Sequence, residues 1–230
     1  MNIYALLSLS FIPLVTVFIL FALLVPGQKI KLLFVSVLSG VLSLIPAAFI
    51  QLYFGDAEIF NVNTVTNLLV TAIVFNGLFE ETSKMVLLNL IPRKKHPLRV
   101  FFSCCVLAGF TFGSLESVIY LLKSLQTFEG SDAAGEALKL IFMRMGTTVL
   151  IHSACAGLSG LFLWKWKNKN FTIMPFVYAV LLHGIYNFFA FRDSGYKWFS
   201  IIAILFAVLE CRIFYRSALE TQDSEQAQKS

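Results

Sequence analysis

The chain has 230 residues, 58% of them hydrophobic and only 13% charged, with 24 Phe and a mean hydropathy of +0.79. Soluble domains carry roughly twice that charged fraction, and a fold of this length has too little interior to hide so much apolar surface. Composition therefore argues against a cytosolic enzyme, a disordered regulator and a nucleic-acid-binding domain. The net charge of +5 is gathered in short clusters between apolar runs. That is the pattern of membrane topology, with the lipid bilayer as partner, rather than of a phosphate-binding stripe. Cys104, Cys105, Cys155 and Cys211 all fall inside apolar runs without CxxC spacing, as small buried hydrophobes do.

A membrane span needs about 20 mostly apolar residues. Residues 1–28 contain no charged side chain and no His, which predicts a first span over 3–25. It lacks the basic start and small-residue cleavage site of a signal peptide and reads as retained. A second span follows over 32–55, with a kink expected at Pro46. Further spans are predicted over 65–91, 98–122, 138–164, 171–191 and 196–215. The fold class is an all-α polytopic membrane protein of about seven transmembrane helices, a single domain over 1–216. Residues 217–230 form a polar tail, expected to be disordered in the cytoplasm.

The loops set the orientation. Lys29, Lys31, Arg93, Lys94, Lys95, Arg99, Lys165, Lys167, Lys169, Arg212 and Arg216 fall at one set of span ends. Asp56, Glu58, Glu129, Asp132, Glu136 and the Arg192–Asp193 turn fall at the other. Basic loops face the cytoplasm, which puts the N-terminus outside and the C-terminus inside. Trp164, Trp166, Tyr196 and Trp198 suit the two interfaces.

Ionisable residues inside spans are costly and by default functional. They are Glu80, Glu81 and Lys84 on the third span, Glu116 on the fourth, Arg144 and His152 on the fifth, His183 with Asn187 on the sixth, and Glu210 near the end of the seventh. At 1.5 Å per residue, Glu80 lies about 22 Å from the outer end of its span and His152 about 21 Å from its own. Phe112 and Glu116 lie about 21–27 Å, and His183 about 18 Å, from the inner ends of theirs. Four helices thus bring polar groups to one level near the middle of the bilayer. Lys84 can neutralise Glu80 at i,i+4 or Glu81 at i,i+3, leaving the other carboxylate available. Gly109, Gly113, Ala154, Gly157 and Gly160 allow close helix approach.

These residues also carry a resemblance. Phe79–Glu80–Glu81–Thr82–Ser83–Lys84 resembles the EExxK motif of the PrsW family of bacterial intramembrane proteases. Phe112, Glu116 and Tyr120 resemble its aromatic FxxxE motif. Arg144, Thr147–Thr148 and His152 resemble its next helix, and His183 with Asn187 its final HxxxN/D motif. Ser117 departs from the Asn expected after the motif glutamate.

The resemblance, covering about 76–190, implies four core helices around a polar cavity in a bacterial inner-membrane protein. The implied activity is endopeptidase cleavage of a single-span membrane protein, typically an anti-sigma factor. Amide hydrolysis needs a base, oxyanion stabilisation and an acid. Glu80 or Glu81 is assigned as base, Glu80 preferred, with His152 orienting the water. His183 and Asn187 are assigned as oxyanion donors, and Glu116 as a second acid or a group orienting a His. A zinc variant would use His152, His183 and Glu80, with no cofactor firmly expected. Lys84 and Arg144 read as counter-ions and Phe112 as cavity wall. A catalytically silent scaffold of the same fold and a transporter are the alternatives.

Overall fold

The computed structural model describes residues 3–54, 64–93, 96–126, 133–167, 171–190 and 195–227, and among these it contains helices and their connections alone. α1 (Ile3–Leu24) and α2 (Ile30–Phe54) are joined by a turn in which Gly27 takes a φ of 80°, a conformation open to Gly at no steric cost. α3 (Thr64–Val70) passes through a π-helical stretch (Thr71–Leu78) into α4 (Phe79–Leu88). Then follow α5 (Leu98–Leu125), α6 (Ala133–Gly146), α7 (Thr148–Lys167), α8 (Met174–Ala190) and α9 (Trp198–Ala227).

Each of the seven predicted stretches is helical, and five are long and apolar enough to cross a membrane: Ile3–Leu24, Ile30–Ile50, Leu98–Leu125, Ala134–Trp166 and Trp198–Gln222. The 64–88 rod fails that composition because it carries Glu80, Glu81 and Lys84, and α8 has 17 residues. Only 11% of the apolar window of α1 is buried, against 72% in α5 and 83% in α6–α7. The centre of the bundle is therefore α5 and α7. α1, α2 and α9 turn exposed Leu23, Phe34, Ile45 and Leu205 outward, as lipid-facing helices of a multi-pass membrane protein do. All four cysteines are buried.

Two expectations change. The predicted fifth span starts earlier and is broken at Thr147, whose hydroxyl donates to Met143 O at 2.8 Å. Such competition between a Thr side chain and the helix ladder bends helices. The tail beyond Ser217 is not disordered at its start, since α9 continues to Ala227. Cys211, Phe214, Tyr215, Ala218 and Leu219 pack on the core at i, i+3, i+4, i+7 and i+8, and that stripe carries the helix past the last long apolar run. Lys165 Nζ donates to Ser217 Oγ at 3.2 Å, tying the end of α7 to α9.

The basic end of the bundle is held by similar ties. Arg93 donates to Leu163 O at 3.0 Å and to Asn89 Oδ1 at 2.6 Å. Ser103 Oγ donates to Gln28 Oε1 at 2.9 Å. The ends of α1, α4, α5 and α7 that flank Lys29, Arg93, Arg99 and Lys165 thus meet on one side, with the part of α9 that carries Arg216. Asp56, Glu58, Lys94, Lys95, Glu129, Asp132, Lys169, Arg192, Asp193 and the Lys167 side chain lie outside the described residues.

α5 and α7 touch through Gly109, where a Cβ would fall on the His152 carbonyl oxygen and lie 2.6 Å from Ala156 Cβ. Gly109→Ala is therefore expected to push α7 away and cost about 1–3 kcal/mol, as overpacking does. Thermal unfolding of the purified protein in detergent reads this, and an unchanged midpoint would show that the contact yields freely.

Candidate active site

The polar residues of α4, α5, α7 and α8 meet in one buried network. Their meeting depends on how the 64–88 rod crosses α8. In the π-helical stretch Phe79 N donates to Val74 O, five residues back, and wider turns of this kind recur near functional sites. At the crossing a Cβ on Gly77 would lie 2.5 Å from Val180 O, and one on Gly184 2.7 Å from Ile73 Cα. Backbone meets backbone there. The adjacent His183 is thereby set against Glu80 and Glu81 at the start of α4.

Glu81, fully buried, is the hub. Its Oε1 accepts from the Lys84 ammonium and lies 2.8 Å from His183 Nδ1; its Oε2 accepts from Ser159 Oγ at 3.3 Å. Of the two pairings open in the sequence, Lys84 thus takes Glu81 at i,i+3. Lys84 Nζ also lies 2.9 Å from His152 Nδ1 and 4.8 Å from the centroid of the Phe112 ring. Phe112 packs on His152 with ring centroids 4.7 Å apart, in contact with the polar groups.

A second chain of contacts reaches His152 from the other side. His152 Nε2 lies 2.5 Å from Glu116 Oε2, and Arg144 Nη2 donates to Glu116 Oε1 at 3.0 Å while stacking 3.8 Å over the Tyr120 ring. Glu116 is placed to orient both groups.

The proton positions follow from the partners. An ammonium only donates, so His152 Nδ1 accepts from Lys84 and the ring proton sits on Nε2, toward Glu116. In His183 the proton sits on Nδ1, toward Glu81, which leaves a lone pair on Nε2. That atom is buried without a hydrogen-bond partner and faces Glu80 Oε2 at 3.7 Å.

Glu80, His152 and His183 each offer a ligand atom within 4.8 Å of the others, and all three are buried. A carboxylate and two imidazoles are a donor set for zinc. Glu81 behind His183 supplies the carboxylate partner usual for a ligating His. The residues fit a divalent metal, with His183 Nε2 and Glu80 facing the same volume.

Of the nine polar span residues singled out in the sequence, seven meet in the network, and Glu210, half-buried on α9, and Asn187 do not. Asn187 is buried one turn beyond His183 but makes none of these hydrogen bonds. Ser159 and Tyr186 join without having been singled out. Ser159 lies seven residues, two helical turns, after His152, a spacing that could have drawn notice. Tyr186 OH bonds Thr148 Oγ1 at 2.9 Å and donates to Thr147 Oγ1 at 3.3 Å.

A cavity of about 470 Å³ opens beside these hydroxyls, lined among others by Arg144, Thr147, Thr148, Tyr186 and Lys197. Thr148 lies four residues from His152 and Tyr186 three from His183, so the cavity begins about one helical turn from both imidazoles.

Comparison with known families matches residues 28–211 to the family described as PrsW family intramembrane metalloprotease. No curated protein and no solved structure matches the chain. The family match spans most of the sequence and contains every residue of the buried network, and the chain belongs to the PrsW family of intramembrane proteases.

Proposed function

We propose that this protein hydrolyses a peptide bond in a membrane-anchored protein, at the buried group formed by Glu80, His152 and His183. The observation that carries the reading is their convergence from three separate helices within 4.8 Å. Ionisable side chains inside a bilayer are costly and by default mark a functional site.

Glu80 is the base that takes the proton of the attacking water. His183 Nε2 offers a lone pair to the same place, which suits a water or metal contact better than the oxyanion-donor role assigned from sequence. Asn187, one turn on, is the remaining amide donor for the oxyanion. The Lys84 ammonium adds positive charge in a dry site, where it counts for more than in water. Glu81 holds Lys84 and His183 in place, and Glu116 and Arg144 hold His152. When bound, a divalent metal supplies Lewis acidity toward carbonyl and water oxygens; Glu80, His152 and His183 are the residues that would hold it.

The substrate reaches the site by the cavity beside Thr148 and Tyr186. It is a single-span membrane protein, an anti-sigma factor being the class that the family suggests. The basic span ends gathered on one side favour a cytoplasmic C-terminus and an external N-terminus in a bacterial inner membrane.

Reconstituted protein mixed with single-span test substrates is expected to yield two defined fragments. His152→Ala should lower that rate by at least about 100-fold with the protein still folded by size-exclusion and thermal unfolding. Cleavage by His152→Ala at the wild-type rate would sink the reading.

A further inference from the structure

Both nitrogens of His152 are already engaged. Nε2 carries the proton directed at Glu116 Oε2, 2.5 Å away, and the lone pair on Nδ1 accepts from Lys84 at 2.9 Å. His183 differs, since its Nε2 lone pair has no hydrogen-bond partner. The three residues of the metal-capable group therefore do not stand alike. His183 can accept a cation as it is, whereas His152 can do so through Nδ1 only by giving up its bond to Lys84.

Charge points the same way. The network holds three carboxylates (Glu80, Glu81, Glu116) and two basic groups (Lys84, Arg144), a surplus of one negative charge when all five are ionised and both imidazoles are neutral. A divalent ion overshoots that surplus. Without the lysine charge the surplus becomes two, which a divalent ion matches. Lys84 is 2% exposed and packed over Phe112, so solvent does little to screen its repulsion of a second cation.

We propose that Lys84 is a resident cation that occupies the lone pair of His152, so that a divalent metal joins the Glu80–His152–His183 group only as the ammonium withdraws. This rests on the metalloprotease reading and adds to it a residue that sets metal affinity. Lys84 is a positioning residue here. On withdrawal its hydrogen bond to Nδ1 breaks, it keeps its proton, and Glu81 remains its counter-ion.

The test is zinc binding by the full chain in detergent, measured by competition with a chromogenic chelator. Lys84→Met is expected to bind Zn²⁺ at least tenfold more tightly than wild type, and the double variant Lys84→Met/His152→Ala should lose that gain. Lys84→Gln, which removes the charge but keeps a donor for Glu81, should show the same gain if the Met variant does not fold. Lys84→Arg, which keeps the charge, should stay near wild type. Wild-type or weaker affinity in the neutral variants overturns the proposal, as does a gain that survives loss of His152.

A readout on unsubstituted protein uses ¹⁵N-labelled histidine, in which saturating zinc should shift the His152 Nδ1 resonance. An unmoved resonance in the zinc-loaded protein also overturns it. Cleavage by the wild type before and after chelation is followed in the same samples and bears on the protease reading alone. Metal-dependent cleavage with unchanged variant affinities removes the role of Lys84 and keeps the protease. A tenfold gain without any cleavage does the reverse.

Discussion

Glu80→Gln is expected to slow substrate cleavage by about 100- to 10 000-fold while the protein still folds. The substitution keeps the shape of the side chain and removes its capacity to take a proton. In the structure the Lys84 ammonium pairs with Glu81. Removing the Glu80 charge therefore leaves the Lys84–Glu81–His183 cluster intact. Cleavage rate and melting midpoint, measured on one preparation, separate the two effects. A variant that cleaves at the wild-type rate would move the base elsewhere, and one that fails to fold would make Glu80 structural.

Glu81→Gln is expected to fail differently, by losing stability as well as activity. Glu81 is fully buried and joined to Lys84, His183 and Ser159. Neutralising it removes the carboxylate with which the buried Lys84 ammonium pairs. Breaking one side of a buried ion pair costs about 3–5 kcal/mol, a large share of the stability of most domains. The double variant Glu81→Gln/Lys84→Met removes both charges and should recover part of the loss, a non-additivity that a double-mutant cycle measures directly. If Glu81→Gln melts like wild type, the hub role is refuted. If the double variant is no better than the single one, the ammonium is not the source of the damage.

Adjacent glutamates with different expected phenotypes show where sequence reasoning reached and where it stopped. A rotation of about 100° between neighbours on a helix established that Glu80 and Glu81 cannot do the same work. It did not say which would hold the lysine, because i,i+3 and i,i+4 partners are both within reach. The choice is made by His183 and Ser159, which come from other helices and draw Glu81 away from Glu80. Likewise, rise per residue placed the histidines at one depth, but depth is a single coordinate. The proton positions in His152 and His183 depend on what lies on either side of each ring, and those neighbours are 36 to 103 residues away along the chain.

Backbone features were legible in proportion to how local their causes are. The seven apolar stretches were read from hydropathy, because each helix satisfies its own backbone polar groups within one segment. The continuation of α9 was legible in principle, through the i, i+3, i+4, i+7 and i+8 stripe from Cys211 to Leu219, but the polar composition of the last residues hid it. The π-helical stretch over Thr71–Leu78 had no such trace. It occurs where Gly77 and Gly184 let two backbones touch, and that contact exists only once both helices are placed.

By itself, then, the sequence determined that the chain lives in a bilayer as a helical bundle, that it belongs with the PrsW motifs, and which few charged side chains lie in the spans. These follow from composition, period and motif spacing, all properties of one segment at a time. Tertiary structure alone decided that Glu81 takes Lys84 and His183, that Glu80 faces the lone pair of His183, and that Lys84 occupies the lone pair of His152. In a medium with little water every buried charge and lone pair must find its partner within the protein, and that partner is settled by which helices touch.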